Sequence, residues 1–319
     1  MRQKSHLFTS GLLVSALLLS ASAPASAADE PKFEISGVVE VDHTSSNTSG
    51  AKSTDTGIST AEFGIAAKLG QFDVNAVLLA EDIGLTDPAG FYPNTTDFRP
   101  DDLHLEELTI GTELGGLGVT VGQMALPFGA FATSIVNDPV TLEIGETKSK
   151  MALVVSGKAG DKLEWNVGAF NGVHRSTDAG ESGYTVNVVM KLNDTTTIGG
   201  GYLTPQGVAT GGPALMGLHA SKQFGKSTVS AEYVAADDSS VNGTSLDLGY
   251  ELNDKTALGL HYDLAQNVGL LGGAGDYSAY GAAVAYKLKD SVTLNLEYLN
   301  ASEGIESYEH YKVMVAVEF

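Results

Sequence analysis

The residues SYEHYKVMVAVEF, 307–319, alternate strictly between two kinds of side chain. One set is apolar or aromatic: Tyr311, Val313, Val315, Val317 and Phe319. The set between them is polar or small, apart from one methionine: His310, Lys312, Met314, Ala316 and Glu318. A period of two residues indicates a β-strand whose two faces meet different surroundings. The stretch therefore predicts a strand that divides an apolar medium from a polar one.

The same alternation recurs along the chain and predicts sixteen strands. Their predicted bounds are 33–43, 57–69, 72–81, 103–113, 117–124, 150–158, 162–171, 182–192, 195–204, 213–224, 227–236, 243–252, 255–264, 277–288, 291–300 and 307–319. Most of these strands are about ten residues long, which is the length that a tilted strand needs to cross a bilayer.

The connections between these strands alternate in length. Seven short turns of hairpin type, such as Gly70-Gln71 and Asn193-Asp194, follow the even-numbered strands from 2 to 14. The other connections are longer and polar or rich in glycine, such as SSNTSGAKSTDT (45–56) and QNVGLLGGAG (266–275). A soluble sandwich also alternates, but it has no reason to sort its loops in this way. An even strand count with sorted loops predicts an all-β fold, a transmembrane antiparallel β-barrel of about 16 strands.

The first residues have the features of a secretory signal peptide. Arg2 and Lys4 precede an apolar run at 7–19, and Ala25-Ser26-Ala27 has the small residues of a cleavage site. We expect residues 1–27 to be the signal peptide and residues 28–319 to be the barrel. Few residues separate 28 from the first predicted strand, so we expect no plug domain. The predicted location is the outer membrane of a Gram-negative bacterium.

Charge and composition argue against several classes of function. The net charge of −21 disfavours a nucleic-acid partner, and the absence of cysteine excludes disulfides and cysteine-bound metal. The histidines that follow residue 27 stand singly, without metal-binding spacing, and no serine is singled out as a nucleophile. We therefore expect a protein that is not an enzyme and that holds no cofactor and no metal.

A barrel of about sixteen strands leaves an aqueous channel. The predicted inward face is mostly small or acidic, with few bases. The charged residues that we expect to line the lumen are Glu40, Glu62, Glu164, Lys191, Glu232, Asp247, Glu251 and Lys312. A lumen with this excess of acids should favour cations. The alternative is that the wall is simply polar, with acids paired to neighbouring bases.

The stretch PFGAFATSIVNDPVTLEIGET, 127–147, does not alternate and is not a simple polar loop. We expect the region 125–149 to fold into the barrel and narrow it. Its apolar residues would anchor it to the inner wall, and its charged residues would border the opening. The residues assigned to this constriction and substrate path are Phe128, Gly129, Phe131, Asp138, Glu143, Glu146 and Lys148. The alternative is a lid over the outer rim.

The same stretch carries a family resemblance. Its motif is Pro127-Phe128-Gly129, Phe131, Thr133, Asp138-Pro139, Thr141-Leu142-Glu143 and Gly145-Glu146-Thr147. This motif resembles the signature segment of LbtU-like siderophore porins, and it departs from that family at Val140, where the family has leucine. The resemblance implies an outer-membrane barrel for passive, TonB-independent uptake of a ferric carboxylate siderophore. Such siderophores are usually anionic, which conflicts with an acidic lumen.

The sequence thus predicts a porin for a ferric siderophore or a similar iron chelate. One alternative is a general or cation-preferring diffusion porin without a dedicated substrate. Another is a structural or adhesive barrel whose outer loops bind a partner. The expected partners are outer-membrane lipid, a small-molecule chelate, and the barrel-assembly machinery, which would recognise the terminal Phe319. The pattern fits a monomer and a trimer equally.

Overall fold

A computed structural model describes residues 32–83, 103–173, 182–204, 213–268, 270 and 275–319. These residues form sixteen β-strands in one closed barrel and one short helix. The residues expected to form the signal peptide, 1–27, lie outside the described part, so their role stays a prediction. No helix in the described ranges is long and apolar enough to cross a membrane.

The strands follow one another around the barrel, and each is antiparallel to its neighbours. The strands are β1 Lys32–Thr48, β2 Ala51–Leu69, β3 Phe72–Ile83, β4 His104–Leu114, β5 Leu117–Ala125, β6 Lys148–Ala159, β7 Leu163–Val173, β8 Ser182–Asn193, β9 Thr196–Leu203, β10 Leu215–Phe224, β11 Ser227–Ala236, β12 Asn242–Asn253, β13 Thr256–Gln266, β14 Asp276–Lys289, β15 Val292–Glu303 and β16 Glu306–Glu318. The helix α1, Val140–Gly145, lies between β5 and β6. Pairing of β1 with β16, which sets Val39 opposite Val317, closes the barrel. The predicted fold class is confirmed, and no plug domain is present among the described residues.

The two faces of the strands differ as the alternation predicts. Tyr311 on β16 and Phe319, which follows this strand, are exposed, whereas Met314 on the inward face of β16 is fully buried. Aromatic rings form a belt on the outer surface, where Tyr298 lies 6.3 Å from Tyr280 and 4.9 Å from Tyr311 between ring centroids. Exposed apolar residues with aromatic belts are typical of a surface that meets lipid.

The prediction of a long polar loop at 45–56 is wrong. Strands β1 and β2 run through this stretch and meet at a two-residue turn, Ser49-Gly50, where both residues have positive φ. Backbone pairing does not depend on which side chains are apolar, so a ladder continues where both faces are wet and alternation is lost. The connection between β15 and β16 is likewise a two-residue turn, Gly304-Ile305.

The seven short turns fall where the sequence places them and define the short-turn end of the barrel. The opposite end, which we call the long-loop end, carries the connection between β5 and β6. This connection does not project outwards. We call residues 126–147 the inserted segment, because they lie against the inner faces of the strands from β8 to β15.

Candidate functional site

The inserted segment is closed at its base by a backbone hydrogen bond. The Leu126 N–H donates to the Thr147 carbonyl at 2.7 Å, so the segment leaves and rejoins the wall at one place. Two apolar side chains anchor it further along. Phe128 is buried among residues that include Phe170 and Leu203, and Ile135 is fully buried in a second cluster of the barrel wall. The segment therefore has a core of its own against the wall.

Inward-facing carboxylates of the wall accept hydrogen bonds from the backbone of the inserted segment. Glu232 on β11 accepts the N–H groups of Ala130 at 2.8 Å and Phe131 at 2.6 Å. Glu297 on β15 accepts those of Val136 and Asn137, the latter at 3.1 Å. Hydrogen bonds to an ionised acceptor are roughly twice as strong as neutral ones. These acids thus hold a segment that has few backbone partners of its own.

Two further carboxylates hold the middle and the helical part of the segment. Asp247 on β12 accepts the N–H and the hydroxyl of Ser134 at 2.7 and 2.8 Å. Asp263 on β13 accepts the N–H of Val140 at 3.2 Å. All these donors belong to the segment, so its path along the wall is defined by acids on four strands.

The first residues of the segment are held by donors instead of acceptors. Asn187 on β8 donates its side-chain N–H to the Phe128 carbonyl at 2.9 Å. Thr185 on the same strand donates its hydroxyl to the Pro127 carbonyl. These bonds fix the point at which the chain turns from the rim into the lumen.

Glycines in the wall make room for this path. A Cβ atom on Gly259 would lie 1.8 Å from the Ser134 carbonyl oxygen, and one on Gly201 would lie 2.2 Å from the Phe128 carbonyl oxygen. No side chain fits at such distances, so the segment lies directly on the backbone of β9 and β13. Of the three glycines in β9, Gly201 is thus explained by contact with the segment, whereas a Cβ on Gly199 would meet the His219 ring.

Phe131 has a positive φ of 47°, which is uncommon for a residue other than glycine. Its N–H is held by Glu232, and its ring lies 6.4 Å from that of Phe128 between centroids. Gly129 stands beside both, and a Cβ there would meet the Phe131 ring at 2.5 Å. The three residues form one tight bend in which Phe128 is buried against the wall and Phe131 is partly exposed.

The opposite side of the segment borders a group of charged residues that we call the eyelet cluster. Its members are Glu62, Glu81, Glu106, Asp138, Glu146, Lys148 and Lys312. Lys148 forms ion pairs with Glu106 and, at 3.7 Å, with Glu146. Glu62 on β2 lies within electrostatic range of Glu106 and Lys148. Glu143 of α1 is exposed, and it lies within electrostatic range of Tyr277 on β14.

Charges in the eyelet cluster act on one another. The enclosed position of Asp138, the largest cause, raises its pKa to about 6, and the negative charges of Glu146 and Glu81 add to the rise. Lys312 and Lys148 oppose this shift. Burial also raises the pKa of Glu146 above its ordinary value, against the effect of Lys148. The negative charge of the eyelet cluster therefore grows as the pH rises towards neutrality.

The remaining residues expected to line the lumen lie in different surroundings. Glu164 pairs with Lys158 at 3.1 Å and Lys191 at 3.6 Å near the short-turn end, where Glu251 is exposed. Glu40 on β1 is buried beside Lys312. Lys312 itself lies 3.6 Å from Asp42.

Glu232 and Asp247 face inwards, as expected, but the inserted segment covers them. Both are less than a tenth exposed, and both accept backbone N–H groups of the segment. The segment therefore engages both carboxylates, while Glu232 also borders a cavity that Ala132 and Ser245 line, and the role of both acids as lumen charges stays a prediction. Phe128 is an anchor that is buried against the wall.

Several residues of the site are not identifiable from the sequence pattern alone. Glu106 contacts Lys148 and also His104, at 3.0 Å, but it stands at an irregularity of β4 where alternation fails. His261 lies between Asp247 and Asp263, and only the pairing of β12 with β13 shows this. Among the described residues, no group of three or more His, Asp or Glu is arranged to hold a metal ion.

Comparisons with known proteins agree with this geometry. Residues 14–303 match a protein family described as Gram-negative porin. OprB of Pseudomonas putida has a TM-score of 0.68 at 13% identity, covering 91% of this chain and 94% of that chain. The outer membrane channel DcaP of Acinetobacter baumannii has a TM-score of 0.66 at 12% identity, covering 93% and 100%.

The anion-selective porin from Comamonas acidovorans has a TM-score of 0.64 at 15% identity, covering 91% of this chain and 100% of that chain. At such identities the likeness of these structures shows the shared fold alone. No curated protein sequence matches this chain significantly.

Proposed function

We propose that this chain, which belongs to the Gram-negative porin family, is a diffusion channel whose eyelet cluster favours cations. Family membership makes the protein a channel of the outer membrane and not an enzyme.

The proposed preference for cations rests on the charge balance of the eyelet cluster. It has five acids against two bases, with Lys148 already shared between Glu106 and Glu146. A narrow passage with excess negative charge concentrates cations and repels small anions, since the surrounding protein screens the field less than water does. The acids of the covered wall add little, because backbone N–H groups of the segment already bind them.

The inserted segment would narrow the pore. Since it occupies the lumen along the strands from β8 to β15, permeating solutes would pass between the segment and the opposite wall. Asp138, Glu143 and Glu146 of the segment, together with Lys148, would then border the narrowest point. The region 125–149 is in this proposal the constriction of the pore.

The experiment is a comparison of ion selectivity in planar bilayers. We expect the double variant Glu81→Gln/Glu146→Gln to lower the potassium-to-chloride permeability ratio by roughly threefold, because two charges leave the passage. The matched control is Glu34→Gln/Glu251→Gln, which removes two exposed acids at the short-turn end. An unchanged ratio in the first variant, or an equal fall in both, would overturn the proposed eyelet selectivity.

Passive uptake of a ferric siderophore or similar chelate is the second candidate. Its support is the resemblance of residues 127–147 to the signature segment of LbtU-like siderophore porins. An anionic chelate would have to pass the acids of the eyelet cluster with only Lys148 and Lys312 to attract it. Liposomes that hold the protein would distinguish the candidates: entry of ferric citrate faster than that of an uncharged sugar of similar mass supports this candidate, and slower entry speaks against it.

We also propose how the chain is exported and assembled. Residues 1–27 would be removed as a signal peptide, after which the barrel-assembly machinery would recognise the terminal Phe319. Mass spectrometry of the protein purified from outer membranes tests the first part, since cleavage after Ala27 leaves a chain that begins at Ala28. Deletion of Phe319 tests the second, and undiminished assembly into the membrane would contradict it.

A further inference from the structure

His261 lies between two carboxylates beneath the inserted segment. Its Nδ1 is 3.2 Å from Asp247 Oδ1, and its Nε2 is 2.9 Å from Asp263 Oδ2. All three residues are less than a tenth exposed. The Nδ1 contact has the geometry of a hydrogen bond, whereas the Nε2 contact is a close ion pair without good alignment.

This arrangement defines the charge of the imidazole. An ionised carboxylate offers only acceptors, and a neutral imidazole has one donor nitrogen and one acceptor nitrogen. Both ring nitrogens of His261 face carboxylate oxygens, so both must carry a proton. The group is therefore an anion–cation–anion sandwich with one net negative charge.

The same two carboxylates hold the inserted segment. Asp247 accepts both donors of Ser134, and Asp263 accepts the Val140 N–H. Asp263 also accepts the Ser245 hydroxyl at 2.6 Å, and Ser245 in turn lies 3.1 Å from the Thr141 hydroxyl. His261 touches none of these segment residues through its ring nitrogens, so it acts on them through the carboxylates.

We propose that His261 is a positioning residue for the constriction: its positive charge keeps both carboxylates ionised and thereby keeps the inserted segment docked. Two buried anions without a cation between them repel each other, and one takes up a proton. A protonated carboxyl group keeps an acceptor oxygen, but its O–H group is a donor that opposes the N–H and O–H donors of the segment, and its remaining bonds are no longer charge-assisted.

The other titratable groups around the sandwich make the cation more important. Glu297 on β15 lies within electrostatic range of His261, and Tyr277 on β14 lies within range of Asp263. Glu297 also holds the segment, through Val136 and Asn137. The segment itself presents uncharged groups to the sandwich, those of Ser134, Val140 and Thr141. Lys312 on β16 also lies within electrostatic range of Glu297, but the charges that act on His261 itself are those of Asp247 and Asp263. Loss of the imidazolium would thus leave these two carboxylates without the cation between them.

The inference rests on the proposed role of the segment as the constriction, but its test measures docking and not selectivity. The chain has no cysteine, so Ala132→Cys in the exposed part of the segment accepts a single nitroxide spin label. Electron paramagnetic resonance then reports how mobile the segment is. Failure of the mobility test would not contradict the proposed ion selectivity of the eyelet cluster. Failure of the selectivity test would likewise not contradict the proposed role of His261 in docking.

Three variants are compared in the labelled protein: His261→Gln, the double variant His261→Gln/Asp263→Asn, and the control His43→Gln on β1. We expect His261→Gln to raise the ratio of mobile to immobile label about tenfold, because the segment loses charge-assisted hydrogen bonds. The double variant should restore low mobility, because with residue 263 neutral no second anion repels Asp247, which stays ionised and keeps both bonds to Ser134. The asparagine oxygen can still accept the Val140 N–H. The control should not differ from the unsubstituted protein.

The pH dependence supplies a readout that a purely structural role would not give. Labelled protein with His261 should become mobile at alkaline pH, where the imidazole loses its proton, and His261→Gln should lack this transition. The proposal is overturned if folded His261→Gln has the mobility of the unsubstituted protein, or if the double variant is as mobile as the single one. Should His261→Gln fail to fold, an immobile label throughout the alkaline titration of the His261 protein overturns it.

Discussion

The inner wall of the barrel contains two groups of acids that differ in what they face. On the covered wall, Glu232, Asp247 and Glu297 are occupied by backbone N–H groups of the inserted segment. On the wall across the eyelet, Glu62 and Glu81 face other acids and the lysines. Residues of one chemical type thus hold the inserted segment in one half of the barrel, and the proposed function assigns the charge of the passage to those in the other half.

The number of inward acids therefore does not measure the charge of a pore. A carboxylate that accepts several backbone N–H groups is partly neutralised by their dipoles and is shielded from passing ions. Only acids without such donors act on the solution. We therefore base the proposed cation preference on the eyelet cluster and not on the whole lumen.

Removing the inserted segment, which separates the covered acids from the acids of the eyelet cluster, should change the conductance most. Deleting residues 130–144 and joining the flanks with a short Gly-Ser linker should raise single-channel conductance roughly twofold or more, since an unobstructed sixteen-strand barrel holds a wide aqueous channel. Heat-modifiable migration on gels would show that the barrel has folded. Unchanged conductance of the folded variant would mean that the segment does not narrow the pore.

A matched pair of glycine substitutions tests how closely the segment lies on the covered wall. In Gly259→Ala the new Cβ would lie 1.8 Å from the Ser134 carbonyl oxygen, whereas in Gly249→Ala it would lie 3.6 Å from the Ser134 Cβ, an ordinary contact. We expect Gly259→Ala to lower the free energy of unfolding by about 1–3 kcal/mol. Gly249→Ala should change it by less than about 0.5 kcal/mol.

Urea unfolding of both glycine variants in detergent or lipid is the measurement. Channel recordings of Gly259→Ala should also show more current fluctuation, because the segment is displaced from the wall. Equal stability of the two variants would contradict the close approach at Gly259.

Substitution of Lys148 tests the charge balance of the eyelet cluster. It pairs with Glu106 and Glu146, so Lys148→Met should leave both acids uncompensated and raise the potassium-to-chloride permeability ratio roughly two- to threefold. Lys191→Met, at the short-turn end beside Glu164, is the control and should change the ratio less. A fall in the ratio for Lys148→Met would contradict the assignment of the eyelet cluster.

The smallest expected effect is a pH dependence of selectivity. The pKa of Asp138 is raised to about 6, so its carboxyl group is mostly neutral below that pH and mostly charged above it. Cation preference should therefore rise between pH 5 and pH 7, and Asp138→Asn should flatten the profile in this range. A preference that falls as the pH rises would have the wrong sign for this group.

The strands and their faces were predictable because alternation is a local property. The pattern around Tyr311 and Phe319 needs only an apolar medium outside and water inside. The same reasoning failed at 45–56, since beyond the membrane both faces of β1 and β2 are wet and the strand pairing continues without an alternating pattern.

The roles of individual inward acids could not be predicted in the same way. Glu232 and Glu62 occupy equivalent inward positions of their strands, yet only Glu232 lies beneath the segment. Which acid is covered depends on strand register and on the path of residues 126–147, which are set by the whole barrel. The bend residues of the segment were recognisable as unusual, whereas its contacts with Asp247 and Asp263 require the closed structure.

The most direct test of the proposed function is the reversal potential of the unsubstituted protein in a planar bilayer under an about tenfold KCl gradient. An excess of uncovered acids at the eyelet predicts a potential of the sign that potassium permeation produces, with a smaller value at pH 5 than at pH 7. A potential near zero, or one of the sign that chloride permeation produces, would contradict the claim that the eyelet cluster selects cations.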